Sequence, residues 1–488
     1  MENNILSYNK KLKRNNKGEY MKKITNKVLW IFAVGQFGWS LLSGIISSWM
    51  VYYYTGENAV FDSNITTAPL FLGLTLFGLI TAIGRIFDAV TDPLIASWSD
   101  RSNYKGGRRI PFMKVIAVPF AVITVGVFLF PQTNSVPLND VILFVTLMLF
   151  YLFMTIYCTP YNALIAELGN TQQNRINVST YISFTYIAGF SVAYLLPNIA
   201  GLFESALGKA DSVRTAIGIL CLIAAIAMLV PSFFIKEREY IQSEPVKTKA
   251  FSSLFKSFKN AQFRRFVYSD VIYFFAVTLF QTGLAFYITR LMKVDAGNSF
   301  VLTVVMTVVS LCLYPLVNKL APKFGKKMLV IIGFFAYSAV FLIAFFCGKG
   351  IVWGYIIAIL AGVPMAILGI LPQAIVADIA EADAIKTGEQ RSGMFFAART
   401  FAMKMGQAVS LLVFTSVTVS GSEWSYRITA IIATVACLVG AILFFMYNEK
   451  SVMEVIERNN AVNIETPDTK ENEGISLISE NGETDKKE

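Results

Sequence analysis

The 488-residue chain contains no histidine. That absence removes histidine metal ligands, histidine general bases and histidine proton relays together, and with them most enzyme chemistries. Cysteine is sparse: Cys158, Cys221, Cys312, Cys347 and Cys437 fall within or at the edge of apolar segments and show no metal-ligand spacing. They read as packing thiols. Charge is scarce as well, at 15% of residues against 55% hydrophobic, with a mean hydropathy of +0.56. Those values exclude an ordinary soluble protein of this length and predict an all-α, polytopic membrane protein.

What is present is a series of apolar stretches of spanning length. They run over 27–54, 68–99, 110–130, 138–168, 175–199 and 213–235, then 266–290, 297–318, 327–347, 351–378, 393–420 and 425–447. Twelve transmembrane helices are expected. Basic residues orient them. Lys10, Lys11, Lys13, Arg14, Lys17, Lys22, Lys23 and Lys27 crowd the leader 1–26, and alternate loops hold Arg101, Lys105, Arg108 and Arg109, then Lys236 to Arg265, then Lys319, Lys323, Lys326 and Lys327. The intervening loops 55–67 and 131–139 hold neither Lys nor Arg. The positive-inside rule then places both termini in the cytoplasm of a multi-pass cell-membrane protein. The net charge of +10 is a topology signal and implies no nucleic-acid partner. The basic leader runs straight into a full-length span, so no cleavable signal peptide is expected.

The polar stretch 236–265 divides the spans into bundles over 27–235 and 266–447, and reads as a cytoplasmic linker with a short amphipathic helix near Phe251–Phe258. The tail 448–488 is rich in Glu, Asn, Thr and Ser, and from about Glu457 its composition predicts disorder.

The expensive feature is Arg85, Asp88 and Asp92 inside the second span. Asp88 follows Arg85 by three residues and precedes Asp92 by four, so the three share one helical face. Charged side chains at membrane depth mark ion or substrate paths by default. Two carboxylates one turn apart, with hydroxyls nearby, offer a hard monovalent cation the oxygens it prefers, and such a pair is also able to share a proton. Pro93 adds a freed carbonyl at Ala89.

Two echoes link the halves. Asn162-Ala-Leu-Ile-Ala-Glu167-Leu168 matches Gln373-Ala-Ile-Val-Ala-Asp378-Ile379, and Pro93-Leu94 leading to Gly107-Arg108-Arg109 matches Pro315-Leu316 leading to Gly325-Lys326-Lys327. They predict a duplicated six-helix unit, the build of major-facilitator transporters. More specific motifs are Gly84-Arg-Ile-Phe-Asp-Ala-Val-Thr-Asp-Pro93 with Asp100-Arg101, Thr159-Pro-Tyr-Asn-Ala-Leu-Ile-Ala-Glu-Leu168, and Lys386-Thr-Gly-Glu-Gln-Arg-Ser-Gly393 followed by Phe396-Ala397 and Lys404-Met-Gly406. In this order and over most of the membrane region, the chain resembles the glycoside–pentoside–hexuronide:cation symporters, the melibiose-permease branch of the major facilitator superfamily.

The resemblance implies two pseudo-symmetric six-helix bundles around a central cavity. It also implies a monomeric symporter that takes up a sugar or glycoside with Na⁺ or H⁺, with no other cofactor. By motif position it assigns the cation site to Asp88, Asp92, Thr91 and Thr155, and it matches Lys404 to the family's helix-XI lysine. Asp88 lies 12 residues from Asp100 and Lys404 lies 11 from Gly393, so both sit roughly 17 Å deep at 1.5 Å per residue. Lys404 is therefore expected to neutralise the acids when the cation is absent, with Arg85 balancing charge beside it. An alternative role for Lys404 is to bind an anionic substrate such as a hexuronide. Asp100, Arg101, Arg108 and Arg109 are expected to form a cytoplasmic ion-pair latch, with plain membrane anchoring as the competing reading.

The family's charged sugar ligands are missing: their positions hold Ser40, Cys158 and Ser183. Gln36, Ser40, Tyr157, Cys158, Tyr161 and Asn162 remain as candidate substrate contacts, able to stack on or hydrogen-bond an uncharged ring. Uptake of a non-sugar amphiphile such as a lysolipid is the alternative. An intramembrane aspartyl protease is disfavoured because both acids sit on one helix. Asp270, Arg290, Glu167 and Arg399 are expected to be solvated or snorkelling near helix ends.

Overall fold

The computed structural model describes residues 22–55, 59–61, 65–66, 68–71, 74–102, 104, 106–169, 172–240, 256–388 and 392–465. Most of the basic leader, Lys105, the linker 241–255, Glu389 to Arg391 and the tail from 466 lie outside them. Among the described residues, twelve helices of twenty residues or more follow one another. They are α1 (Asn26–Tyr54), α2 (Leu76–Arg101), α3 (Ile110–Leu129), α4 (Val136–Leu168), α5 (Gln172–Ala193), α6 (Leu196–Phe234), α7 (Ala261–Phe286), α8 (Asn298–Phe324), α9 (Lys326–Phe346), α10 (Ile351–Thr387), α11 (Ser392–Val417) and α12 (Glu423–Phe444). A thirteenth, α13 (Glu449–Glu465), closes the described chain.

Ten helical stretches are long and apolar enough to cross a membrane, one of them being Asn177–Phe234, which joins α5 and α6. α2 falls outside that set because Arg85, Asp88 and Asp92 stand in its middle.

Three expectations are corrected. The second span does not begin at 68. Pro69–Phe71 and Leu74–Thr75 form a small antiparallel hairpin (β1 and β2), and the Thr75 hydroxyl accepts from the Gly78 N–H at 3.0 Å to start α2. The spans expected at 175–199 and 213–235 are not separated at 200–212; α6 runs through those residues and kinks at Gly208, whose φ is +78°. The tail is helical to Glu465, because Val452 and Ile456 bury an apolar stripe and α13 packs on α10. Composition predicts disorder there, but one amphipathic face with a docking partner overrides it.

The packing repeats. α1 contacts α5 and α6, α2 contacts α4, and α3 contacts α4 and α6; likewise α7 contacts α11 and α12, α8 contacts α10, and α9 contacts α10 and α12. Contacts between the sets run through α2 with α11, α1 with α7, and α5 with α8.

The repeat extends to polar clasps that also explain the echoes in the sequence. The Glu237 carboxylate accepts from the backbone N–H groups of Arg108, Arg109 and Ile110 at 2.9, 2.9 and 3.0 Å, capping α3. The Glu449 carboxylate accepts from those of Lys326 and Lys327 at 2.8 and 3.0 Å, capping α9. Gly107 and Gly325 precede the caps at φ +124° and +81°, where a Cβ would also run into the capping carboxylate. At the other ends, Arg214 Nε donates to the Phe128 carbonyl at 3.2 Å, and Arg427 donates to the carbonyls of Phe345 and Cys347. Each helix is thus held by an anion at its N-terminus and a cation at its C-terminus, the arrangement its dipole favours.

Candidate cation and substrate site

A cavity of about 740 Å³ lies between the two helix sets, and Arg85, Asp88, Asp92 and Lys404 all line it. Lys404 reaches across from α11. Its Nζ stands 2.8 Å from Asp88 Oδ1 and 2.6 Å from Asp92 Oδ2. Thr155 on α4 donates its hydroxyl to Asp88 Oδ1 at 2.9 Å, and Thr91 lies 3.3 Å from Thr155 while bonding the Asp88 carbonyl at 3.1 Å. Thr159, which the motif comparison passed over, donates to Asp92 Oδ1 at 3.4 Å.

Arg85 is held more loosely. Nη1 is 3.8 Å from Asp88 Oδ2, Nη2 is 3.2 Å from the Ser47 hydroxyl on α1, and the guanidinium lies 5.1 Å from the Tyr151 ring. Two acids and two bases bring the cluster to net zero, which is how four charges persist at this depth. Asp88 is fully buried, while the side chain of Asp92 is 28% exposed to the cavity. Asp88 Oδ2 is buried without a hydrogen-bond partner. The donor set is hard oxygen throughout: two carboxylates and the hydroxyls of Thr91, Thr155 and Thr159. It suits a monovalent cation, and the Lys404 ammonium holds the place between the carboxylates for which such a cation would compete.

Comparison with known proteins decides the kind of molecule. A family model described as MFS/sugar transport protein matches residues 31–448. The chain belongs to that family. It is 24% identical over 402 residues to the uncharacterized symporter YnaJ of Bacillus subtilis (strain 168), covering 81% of this chain and 83% of that protein. It is 22% identical over 380 residues to sodium-dependent lysophosphatidylcholine symporter 1 of Xenopus tropicalis, covering 70% of this chain and 71% of that one. A solved structure of a proton dependent oligopeptide transporter superposes with a TM-score of 0.63 at 13% identity, over 89% of this chain and 100% of the other. That likeness concerns the fold alone. As a member of the MFS/sugar transport family, the protein is a transporter and not an enzyme.

In this family member only half of the expected substrate residues reach the cavity. Gln36, Cys158 and Asn162 line it. Ser40, Tyr157 and Tyr161 do not, and their assignment is corrected. Ser40 is buried and bonds the Phe37 carbonyl at 3.0 Å. Tyr157 donates to the Met228 carbonyl at 3.0 Å and Tyr161 to the Phe32 carbonyl at 2.9 Å, both fully buried between α4, α1 and α6. They are packing residues whose hydroxyls satisfy backbone acceptors. The wall instead includes Trp39, Tyr186, Phe190, Gln281, Gln373 and Gln407. Glutamines inside otherwise apolar spans were the available signal for three of these, and it went unused.

The residues expected to form a cytoplasmic latch divide between a cluster and the surface. Arg108 and Arg109 bind Glu167 at 2.8 and 3.0 Å, and Arg109 binds Asp100 at 3.2 Å. These groups belong to α2–α4 and the loop between, so the bonds brace one helix set. The Arg101 side chain is exposed. In the opposite set Lys326 binds Asp378 at 2.5 Å, the counterpart of Arg108 with Glu167. Asp270 and Arg399 are neither solvated nor snorkelling: they form a buried bidentate pair at 2.8 and 3.0 Å that fastens α11 to α7.

Proposed function

We propose that the protein is a cation-coupled symporter of the cell membrane that carries a sugar or glycoside inward with Na⁺ or H⁺. Its twelve long helices all cross the bilayer as two pseudo-symmetric six-helix bundles, with the basic loops and both termini in the cytoplasm, and it works as a monomer. The observation that carries the reading is Lys404, on one bundle, bridging Asp88 and Asp92 on the other at the cavity wall.

A cation entering between the two carboxylates displaces the ammonium, and the bond that ties α11 to α2 is exchanged for one the substrate and cation complete together. Such an exchange couples the two ligands reciprocally, because each favours the same state. The helices meet at the end remote from the basic loops, where Tyr52 of α1 and Phe286 of α7 lie 5.1 Å apart. Asn162 and Ala397 line the cavity toward the basic end. That combination supports an inward-open state. The acid–ammonium bridge then returns the unloaded carrier.

The test is proteoliposomes given a panel of neutral glycosides and hexuronides, scored for substrate-dependent Na⁺ or H⁺ entry. Entry driven by a glycoside supports the reading, and a panel that moves no ion rejects it. The Xenopus tropicalis relative keeps a lysolipid substrate as the second reading, so lysophosphatidylcholine belongs in the same panel.

A further inference from the structure

The family's acid–arginine arrangement for sugar hydroxyls is absent, yet the cavity presents two uncharged surfaces on opposite helix sets. Tyr186 and Phe190 of α5, and Tyr194 in the turn just after it, recur every four residues and all line the cavity. Tyr186 and Phe190 have ring centroids 6.1 Å apart at 24°, and Trp39 of α1 joins them, 5.7 Å from Tyr186. The Trp39 indole N–H donates to Gln36 Oε1 at 3.2 Å, which restrains the ring at the cavity wall. Tyr186 is 40% exposed, an open ring at the same wall. On the other set stand Gln281 of α7, Gln373 of α10 and Gln407 of α11. None of these three amides hydrogen-bonds another protein group among the described residues.

We infer that Trp39, Tyr186 and Phe190 form the platform on which a neutral sugar ring stacks, and that Gln281, Gln373 and Gln407 bind its hydroxyls from the facing helices. The inference rests on the sugar-symport reading and deepens it. A pyranose has an apolar C–H face and an equatorial belt of hydroxyls, so one aromatic wall and one amide wall match it. An amide offers both donor and acceptor, which suits a hydroxyl that is also both. The cation cluster beside these walls is internally neutral, Arg85 and Lys404 balancing Asp88 and Asp92, and the six wall residues themselves are uncharged. Because the two walls belong to different helix sets, a bound ring draws them together, which a ligand held on one set alone does not do.

The experiment measures substrate-driven ion entry into proteoliposomes for the wild type and for Trp39→Ala, Trp39→Phe, Tyr186→Ala and Tyr186→Phe. The probes are nitrophenyl glucosides and galactosides, a hexuronide and lysophosphatidylcholine. If the wild type responds to a neutral glycoside, the two alanine variants should raise its KM about tenfold, the value of one lost stacking contact. The phenylalanine variants should keep KM within about threefold, and the cation concentration for half-maximal flux should hold in all four. The unfolding midpoint of the purified variants identifies any that are merely misfolded; for such a residue the phenylalanine variant then decides, since a tenfold KM rise with the ring retained overturns stacking. Unchanged KM in folded alanine variants overturns the platform while leaving sugar symport intact. A wild type that answers only to the lysolipid or the hexuronide overturns the neutral-sugar platform, and the lysolipid result overturns the sugar reading with it.

Discussion

The two helix sets share a skeleton and differ in charge. Glu237 caps α3 as Glu449 caps α9, Arg214 holds the far end of α3 as Arg427 holds that of α9, and Arg108 with Glu167 corresponds to Lys326 with Asp378. Counting back from the paired prolines Pro93 and Pro315, however, Asp92, Asp88 and Arg85 on α2 face Tyr314, Ser310 and Thr307 on α8. α8 folds and packs without the charges that α2 carries. What both sets keep is what the fold requires; what only α2 keeps serves something other than folding.

The sharpest way to break that contrast is Lys404→Met. It strands two carboxylates, one fully buried, and removal of one partner of a buried ion pair costs about 3–5 kcal/mol. The unfolding midpoint should fall steeply, the coupling cation should restore part of it, and cation-driven accumulation should vanish; normal accumulation would reject the role given to Lys404. Asp92→Cys comes next. It should abolish accumulation against a gradient while leaving passive substrate exchange, and a variant that still concentrates substrate contradicts the cation site.

The clasps should respond equally in both sets. Glu237→Gln and Glu449→Gln each weaken charged caps worth about 1.5–3 kcal/mol, and denaturant or thermal unfolding in detergent should show similar losses. A large loss in one and none in the other would break the structural repeat. Ser310→Ala, at the position matching Asp88, should change stability by less than about 1 kcal/mol and leave ion coupling alone; a coupling defect there would end the argument that the α2 charges, and not their α8 counterparts, serve coupling.

The smallest effect concerns the rim that carries the basic loops. A hydrogen bond from Lys22 draws the Glu239 carboxyl below its usual value of 4.5. Because the folded value is depressed, the contact contributes above that value and fades as pH falls through the lower, folded one. Protease nicking just before Lys22 should therefore rise on acidification and be insensitive to pH between about 6 and 8; Glu239→Gln should remove the dependence.

Much of this was legible beforehand in particular residues. Arg85, Asp88 and Asp92 announced a face that cannot meet lipid, and equal depth along α2 and α11 brought Lys404 to the same layer. Of the residues expected to contact substrate, Asn162, Cys158 and Gln36 line the cavity, whereas Ser40, Tyr157 and Tyr161 do not. Depth follows from counting at 1.5 Å per residue, but azimuth does not. Tyr157 and Tyr161 stand one turn apart on α4, and which way that face turns depends on how α1 and α6 pack against it. The partners of Arg108 and Arg109 were hidden for a related reason: basic residues show which end they occupy and say nothing of which helix set their partners belong to.

Hydropathy, basic-loop asymmetry and the spacing of charges are properties of the linear chain, because a bilayer acts on each segment by its own transfer free energy. They were sufficient for an all-helical chain of many membrane-spanning segments and for the charged layer. The aromatic wall facing three glutamines, the Asp270–Arg399 pair and the carboxylate caps of α3 and α9 join residues far apart in the chain. Only the packed bundle decides them, since helix rotation and the choice of neighbour are set by side-chain interlocking between segments.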